Sequence, residues 1–84
     1  MTLKELMKNQ AESLNKYKMF IEKYLIISGI SKEEYDKSIK VLNKTIKRLN
    51  KGNLKNAKKV YNKERFIESI KDEYPEIINE LSEW

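Results

Sequence analysis

Lys37, Lys40, Lys44, Lys47 and Lys51 recur every three or four residues, and Arg48 stands beside them. On a helix such positions gather on one side. Lys55, Lys58 and Lys59 continue the run past Gly52, and no acidic residue occurs from Lys37 to Lys63. A ridge of this kind can bind anions, either the phosphates of a nucleic acid or the acidic surface of a protein. Lysine is a point charge, and only Arg48 brings a planar fork, while Asn43 and Asn50 lie off the stripe. A nucleic acid held here would be gripped by its backbone without its base sequence being read. The plainer reading is a solvated helix face. Lysine outnumbers arginine 16 to 2 and Asn and Ile are abundant, the usage of an AT-rich genome or mobile element, so part of the excess is compositional.

Catalytic chemistry lacks its usual parts. There is no histidine and no cysteine, so the commonest general base, metal ligand and thiol nucleophile are missing. Glu33, Glu34 and Asp36 cluster where a helix begins, and Asp72, Glu73 and Glu76 surround Pro75. Both groups favour the positive end of a helix, and neither has the Glu-x-x-His pairing of a carboxylate metal bundle. No serine has a histidine to activate it, and no glycine-rich phosphate loop is present. The expectation is a protein that is not an enzyme, with no catalytic residues, no metal site and no cofactor.

The elements that must carry the ridge are well punctuated. Thr2 with Glu5 forms a capping box, and apolar residues then recur through Leu3, Met7, Leu14, Tyr17, Ile21 and Tyr24, interrupted by Gln10. Leu6, Phe20, Leu25 and Ile27 widen that stripe, and Gly29 ends it. A first helix is expected over about 3–28. Ser31 with Glu34 is a second capping box, with Ile30 and Tyr35 placed as a hydrophobic staple. Tyr35, Ile39, Leu42, Ile46 and Leu49 form the seam of a helix over about 32–51, stopped by Gly52. The lysine ridge lies on the side opposite this seam. Asn53 can cap a third helix over about 54–73, in which Leu54 and Tyr61 fall off the face shared by Val60, Ile67, Ile70 and Tyr74. Near Asn62 the helix is therefore either kinked or divided in two. Pro75 suits a first helical position, which starts a short helix over about 75–83 carrying Ile77, Ile78, Leu81 and Trp84.

The 84 residues are expected to form one domain, 1–84. Its class is all-α: a small antiparallel bundle of three main helices plus a short carboxy-terminal one. Charge is uneven along it, with a net +2 over residues 1–31, +8 over 32–63 and −5 over 64–84. No apolar run approaches a membrane span, and the amino terminus lacks the features of a secretory signal, so a cytoplasmic location is expected.

Two apolar features compete with the ridge as contact sites. Met19 and Ile26 fall on the back of the first helix, away from its seam, and could meet a partner or a second copy in a homodimer. Trp84 ends an acidic amphipathic segment and could anchor an interface, although packing as the lid of the core is the more ordinary use of such a residue. In size and class alone the chain resembles bacteriocin immunity proteins, phage-encoded inhibitors and small nucleoid- or ribosome-associated factors, with no motif in common. A small bundle without catalytic groups acts by contact. The expected function is a protein-binding regulator or inhibitor of phage or mobile-element origin, steered by its lysines to a larger protein with an acidic surface. The alternative is a non-specific nucleic-acid-binding protein that uses the ridge from Lys37 to Lys63.

Overall fold

A computed structural model describes all residues, Met1–Trp84. It contains five helices and no strand: α1 (Leu3–Ile27), α2 (Lys32–Lys51), α3 (Leu54–Val60), α4 (Lys63–Ile70) and α5 (Pro75–Glu80). Four of the five starts have a side-chain cap that satisfies an orphan amide. The Thr2 hydroxyl accepts from the Glu5 amide, Ser31 from Glu34, Asn53 from Asn56 and Asn62 from Arg65. The fifth, α5, starts on Pro75, whose missing N–H costs nothing in the first turn.

Of the two forms expected for the stretch over 54–73, a kink near Asn62 or a division in two, the chain takes the division. Tyr61 and Asn62 take extended backbone angles between α3 and α4, and Asn62 then caps α4. The physical reason is the apolar phase: a single straight helix would put Tyr61 and Phe66 on different sides, whereas the break lets their rings stack at 4.3 Å. The fold is therefore a two-helix hairpin with three short helices on it, in place of a bundle of three main helices.

α1 and α2 run antiparallel and pack along each other, α3 returns against α2, and α5 packs on α4. The close of the hairpin is marked at Gly52, whose φ of 59° is left-handed and which lies against Lys4. A Cβ there would stand 2.8 Å from Lys4 Cγ and 3.1 Å from Lys4 Cα, whereas one at Gly29 (φ 71°) would meet nothing within 4 Å. Gly29→Ala is expected to cost about 1 kcal/mol, the left-handed penalty alone. Gly52→Ala is expected to cost roughly 2–3 kcal/mol, because the Lys4 backbone must also shift. Urea denaturation of the two variants would measure this, and equal costs would mean that Lys4 yields freely.

The short helices gather at one end of the hairpin, and the buried core is confined there. It comprises Leu3, Met7 and Ala11 of α1, Ile46 and Leu49 of α2, Ala57, Phe66, Ile70, Ile77 and Leu81. Asn56 is buried among them and is satisfied, its Nδ2 donating to Asn53 Oδ1 at 2.7 Å. The start of α1 is tied down by α5: the Leu3 N–H donates to Glu80 Oε2 at 2.8 Å, and Glu76 meets the Met1 ammonium at 2.7 Å. These carboxylates face the positive end of the α1 dipole. Between Ala11 and Ile46 no residue is buried. That stretch forms an arm beyond the core and makes the molecule elongated, 45 × 20 × 20 Å.

Candidate interaction surface

Helical geometry splits the lysine ridge between two elements. Lys37, Lys40, Lys44, Lys47 and Lys51 are exposed on α2, and Arg48 is half-buried. Lys55, Lys58 and Lys59 belong to α3 and are exposed across the Gly52 turn. Lys37 is paired with Glu33 at 3.3 Å, and Lys58 donates to the Glu83 carbonyl at 3.2 Å. Lys63 donates likewise to the Trp84 carbonyl at 3.2 Å. Lys58 and Lys63 thus fasten the carboxy-terminal segment. The chain's three ion pairs leave Lys40, Lys44, Lys47, Arg48, Lys51, Lys55 and Lys59 without a carboxylate partner.

The apolar candidates separate. Trp84 lies against Phe66, ring centres 5.8 Å apart, and packs on the core. Met19 and Ile26 stand in the open at 67% and 72% exposure. They are not alone on the arm. Tyr17, Phe20, Tyr24 and Ile27 are equally uncovered, as is Val41 across the hairpin. Tyr17 and Phe20 stack on one another at 6.4 Å and still stand 56% and 67% exposed. Sequence periodicity assigns Tyr17 and Tyr24 to the bundle seam and takes Phe20 and Ile27 as widening that stripe, and it does not single out Val41. The reason for their exposure lies in the elements that follow: a first helix of 25 residues, apolar on most sides, outruns helices of seven, eight and six residues gathered at one end.

Where the core ends and the arm begins, Gln10, Ser13 and Leu14 of α1, Thr45 and Leu49 of α2, and Val60 and Tyr61 line a depression of about 320 Å³. The Tyr61 hydroxyl donates to Gln10 Oε1 at its edge. Burial pushes the Tyr61 phenol up to about 12 from its ordinary 10.0, since the ionised ring would lose water. The folded value is the higher one. Its contribution to stability is therefore complete below pH 10 and is lost as pH rises from 10 towards 12. An NMR titration of the Tyr61 ring should give a midpoint near 12. A midpoint at the ordinary value would show the ring to be solvated.

No three acidic side chains are grouped so that they could hold a metal ion. No helix is long and apolar enough to cross a membrane. Compared with known proteins, the chain matches no family model, no curated protein and no solved structure.

Proposed function

We propose that this chain is a non-enzymatic binding protein, a regulator or inhibitor that engages a larger, acidic protein through the arm of its hairpin. One observation carries the reading: seven large apolar side chains of the arm, from Tyr17 to Val41, are 56–83% exposed, outside a core that is complete without them. Exposed apolar area of this extent on a small protein marks an interaction site. Aromatic residues dominate the energetics of such sites, and Tyr17, Phe20 and Tyr24 supply them. Of the unpaired lysines of α2, Lys40 and Lys44 lie on the same arm and would speed and orient the encounter.

A photoreactive residue placed at Met19 or Ile26 tests the reading in cells that express the protein. Crosslinks to a discrete larger protein are expected from these positions and not from Glu68 or Asn79 at the core end. Equal crosslinking from both ends would remove the arm as the site. A second reading, nucleic-acid binding by the ridge, is favoured by the absence of acids from Lys37 to Lys63. It requires binding to random duplex whose log affinity falls steeply with log salt and which Lys40→Glu, Lys44→Glu and Lys47→Glu together abolish.

A further inference from the structure

The groove on the side of the hairpin that holds the α3–α4 corner does not stop where that corner stops. At the core end, Ser13 of α1 and Thr45 of α2 face each other across a depression closed by Val60 and Tyr61. One helical turn towards the tip, Tyr17 and Val41 succeed them on the same faces. A further two turns of α1 add Tyr24, with Phe20 and Ile27 on the outer lip. The floor, made by Leu14, Ile21 and Leu42, is only partly covered. An element of this chain therefore occupies the groove at one end, and the other end is open.

The open part has the dimensions of one helix. From Tyr17 to Ile27 it spans about 15 Å, three helical turns. At 150–250 Å² per aromatic side chain, the exposures of Tyr17, Phe20 and Tyr24 leave roughly 280–460 Å² of surface, to which Ile27 and Val41 add. One partner of a stable interface contributes about 800 Å². Charge selects the occupant. Lys16 and Lys23 follow the apolar stripe along the α1 lip, and Lys44 stands on the α2 lip one turn to the core side of Val41, all three without a carboxylate partner. Against them stands Glu34 at the tip. A second copy of this chain presenting the same face would bring the same positive excess to the contact.

We propose that this groove receives a single acidic, amphipathic α-helix of the partner protein. Apolar residues at i, i+3 or i+4, and i+7 of that helix lie on Tyr17, Tyr24 and Val41, and its flanking carboxylates meet Lys16, Lys23 and Lys44. The inference rests on the protein-binding reading above and narrows it to helix-in-groove recognition.

The probe is a labelled model peptide of about 18 residues, ~27 Å as a helix. It carries leucine at the helical spacing and glutamate elsewhere. Two controls accompany it: a scrambled peptide of the same composition, and one with lysine replacing every glutamate. The acidic helix is expected to bind at least about tenfold more tightly than either, a difference of about 1.4 kcal/mol. Tyr24→Ser with Val41→Ser should abolish binding while leaving the helical circular dichroism and the thermal transition in place, since both residues are exposed. Lys16→Glu with Lys44→Glu should reverse the preference, so that the lysine-flanked peptide binds better. Equal binding of helical and scrambled peptides, or no saturable binding of the acidic helix at low salt, overturns the proposal. So does sedimentation as a dimer that the Tyr24 and Val41 substitutions dissociate, because a second copy would then fill the groove. Arm-specific crosslinks to a protein in the absence of peptide binding would sink the helix and leave the broader protein-binding reading standing.

Discussion

Met7→Ala and Leu49→Ala are each expected to lower stability by about 2–5 kcal/mol, whereas Phe20→Ala and Ile27→Ala change it by less than about 0.5 kcal/mol. The contrast is sharper than residue type would suggest, since all four side chains are large and apolar. Met7 is 0% exposed and Leu49 1%, while Phe20 and Ile27 are 67% and 83% exposed. Truncating the first pair removes transfer free energy and leaves a cavity, and truncating the second pair opens nothing. A chain of 84 residues holds a total stability of roughly 4–13 kcal/mol, so one core truncation removes a large share of it. In a domain of this size the midpoint of thermal unfolding shifts about 4–8 °C per kcal/mol. Differential scanning calorimetry should therefore show core variants melting some 10–30 °C early and arm variants melting with the parent. Core-like losses for Phe20→Ala or Ile27→Ala would mean that the arm is covered in solution, by its own chain or by a second copy.

The same division explains which parts of the fold were legible in the sequence. Helix starts are local events: a hydroxyl or amide side chain three residues ahead of an amide is visible in the residue order itself. Thr2, Ser31, Asn53 and Pro75 accordingly mark the starts of α1, α2, α3 and α5. Gly52 and Gly29 mark ends for an equally local reason, the left-handed backbone. Asn62 offers the same signal as Asn53, and the phase break around Tyr61 points to it, yet a continuous helix satisfies the apolar pattern almost as well. The stacking of Tyr61 on Phe66 decides between them, and stacking is tertiary. Coverage was the least legible property. Leu3, Leu6, Tyr17, Tyr24 and Ile27 repeat along α1 at similar spacing, and nothing in that spacing records that α3–α5 shield the first two and stop short of the rest. The lysine ridge was visible as a pattern, but the engagement of Lys58 and Lys63 with the carbonyls of Glu83 and Trp84 required the chain to fold back.

Removing residues 75–84 is expected to have the largest effect of any single change. The deletion takes away Ile77 and Leu81, 0% and 6% exposed, and the Trp84 ring packed on Phe66. Burial of Ile and Leu alone accounts for about 3–6 kcal/mol. With them go the carboxylate of Glu80 on the Leu3 amide and the anchor points of Lys58 and Lys63. What is left of α4 and α3 is eight and seven residues long. Helices that short do not persist in water without tertiary packing, so both should melt once α5 no longer holds α4 against α1. The far-ultraviolet circular dichroism is thus expected to fall by much more than the six residues of α5, and the cooperative thermal transition to broaden or vanish. Ile77→Ala and Glu80→Gln separate the two contributions: the first should reproduce most of the loss, and the second about 1 kcal/mol of it. A truncated chain that keeps a sharp transition and loses only the signal of α5 would place the core's stability in the hairpin and α3 alone. The exposed apolar arm would then be an extension of that core, and the case for it as a separate binding surface would weaken accordingly.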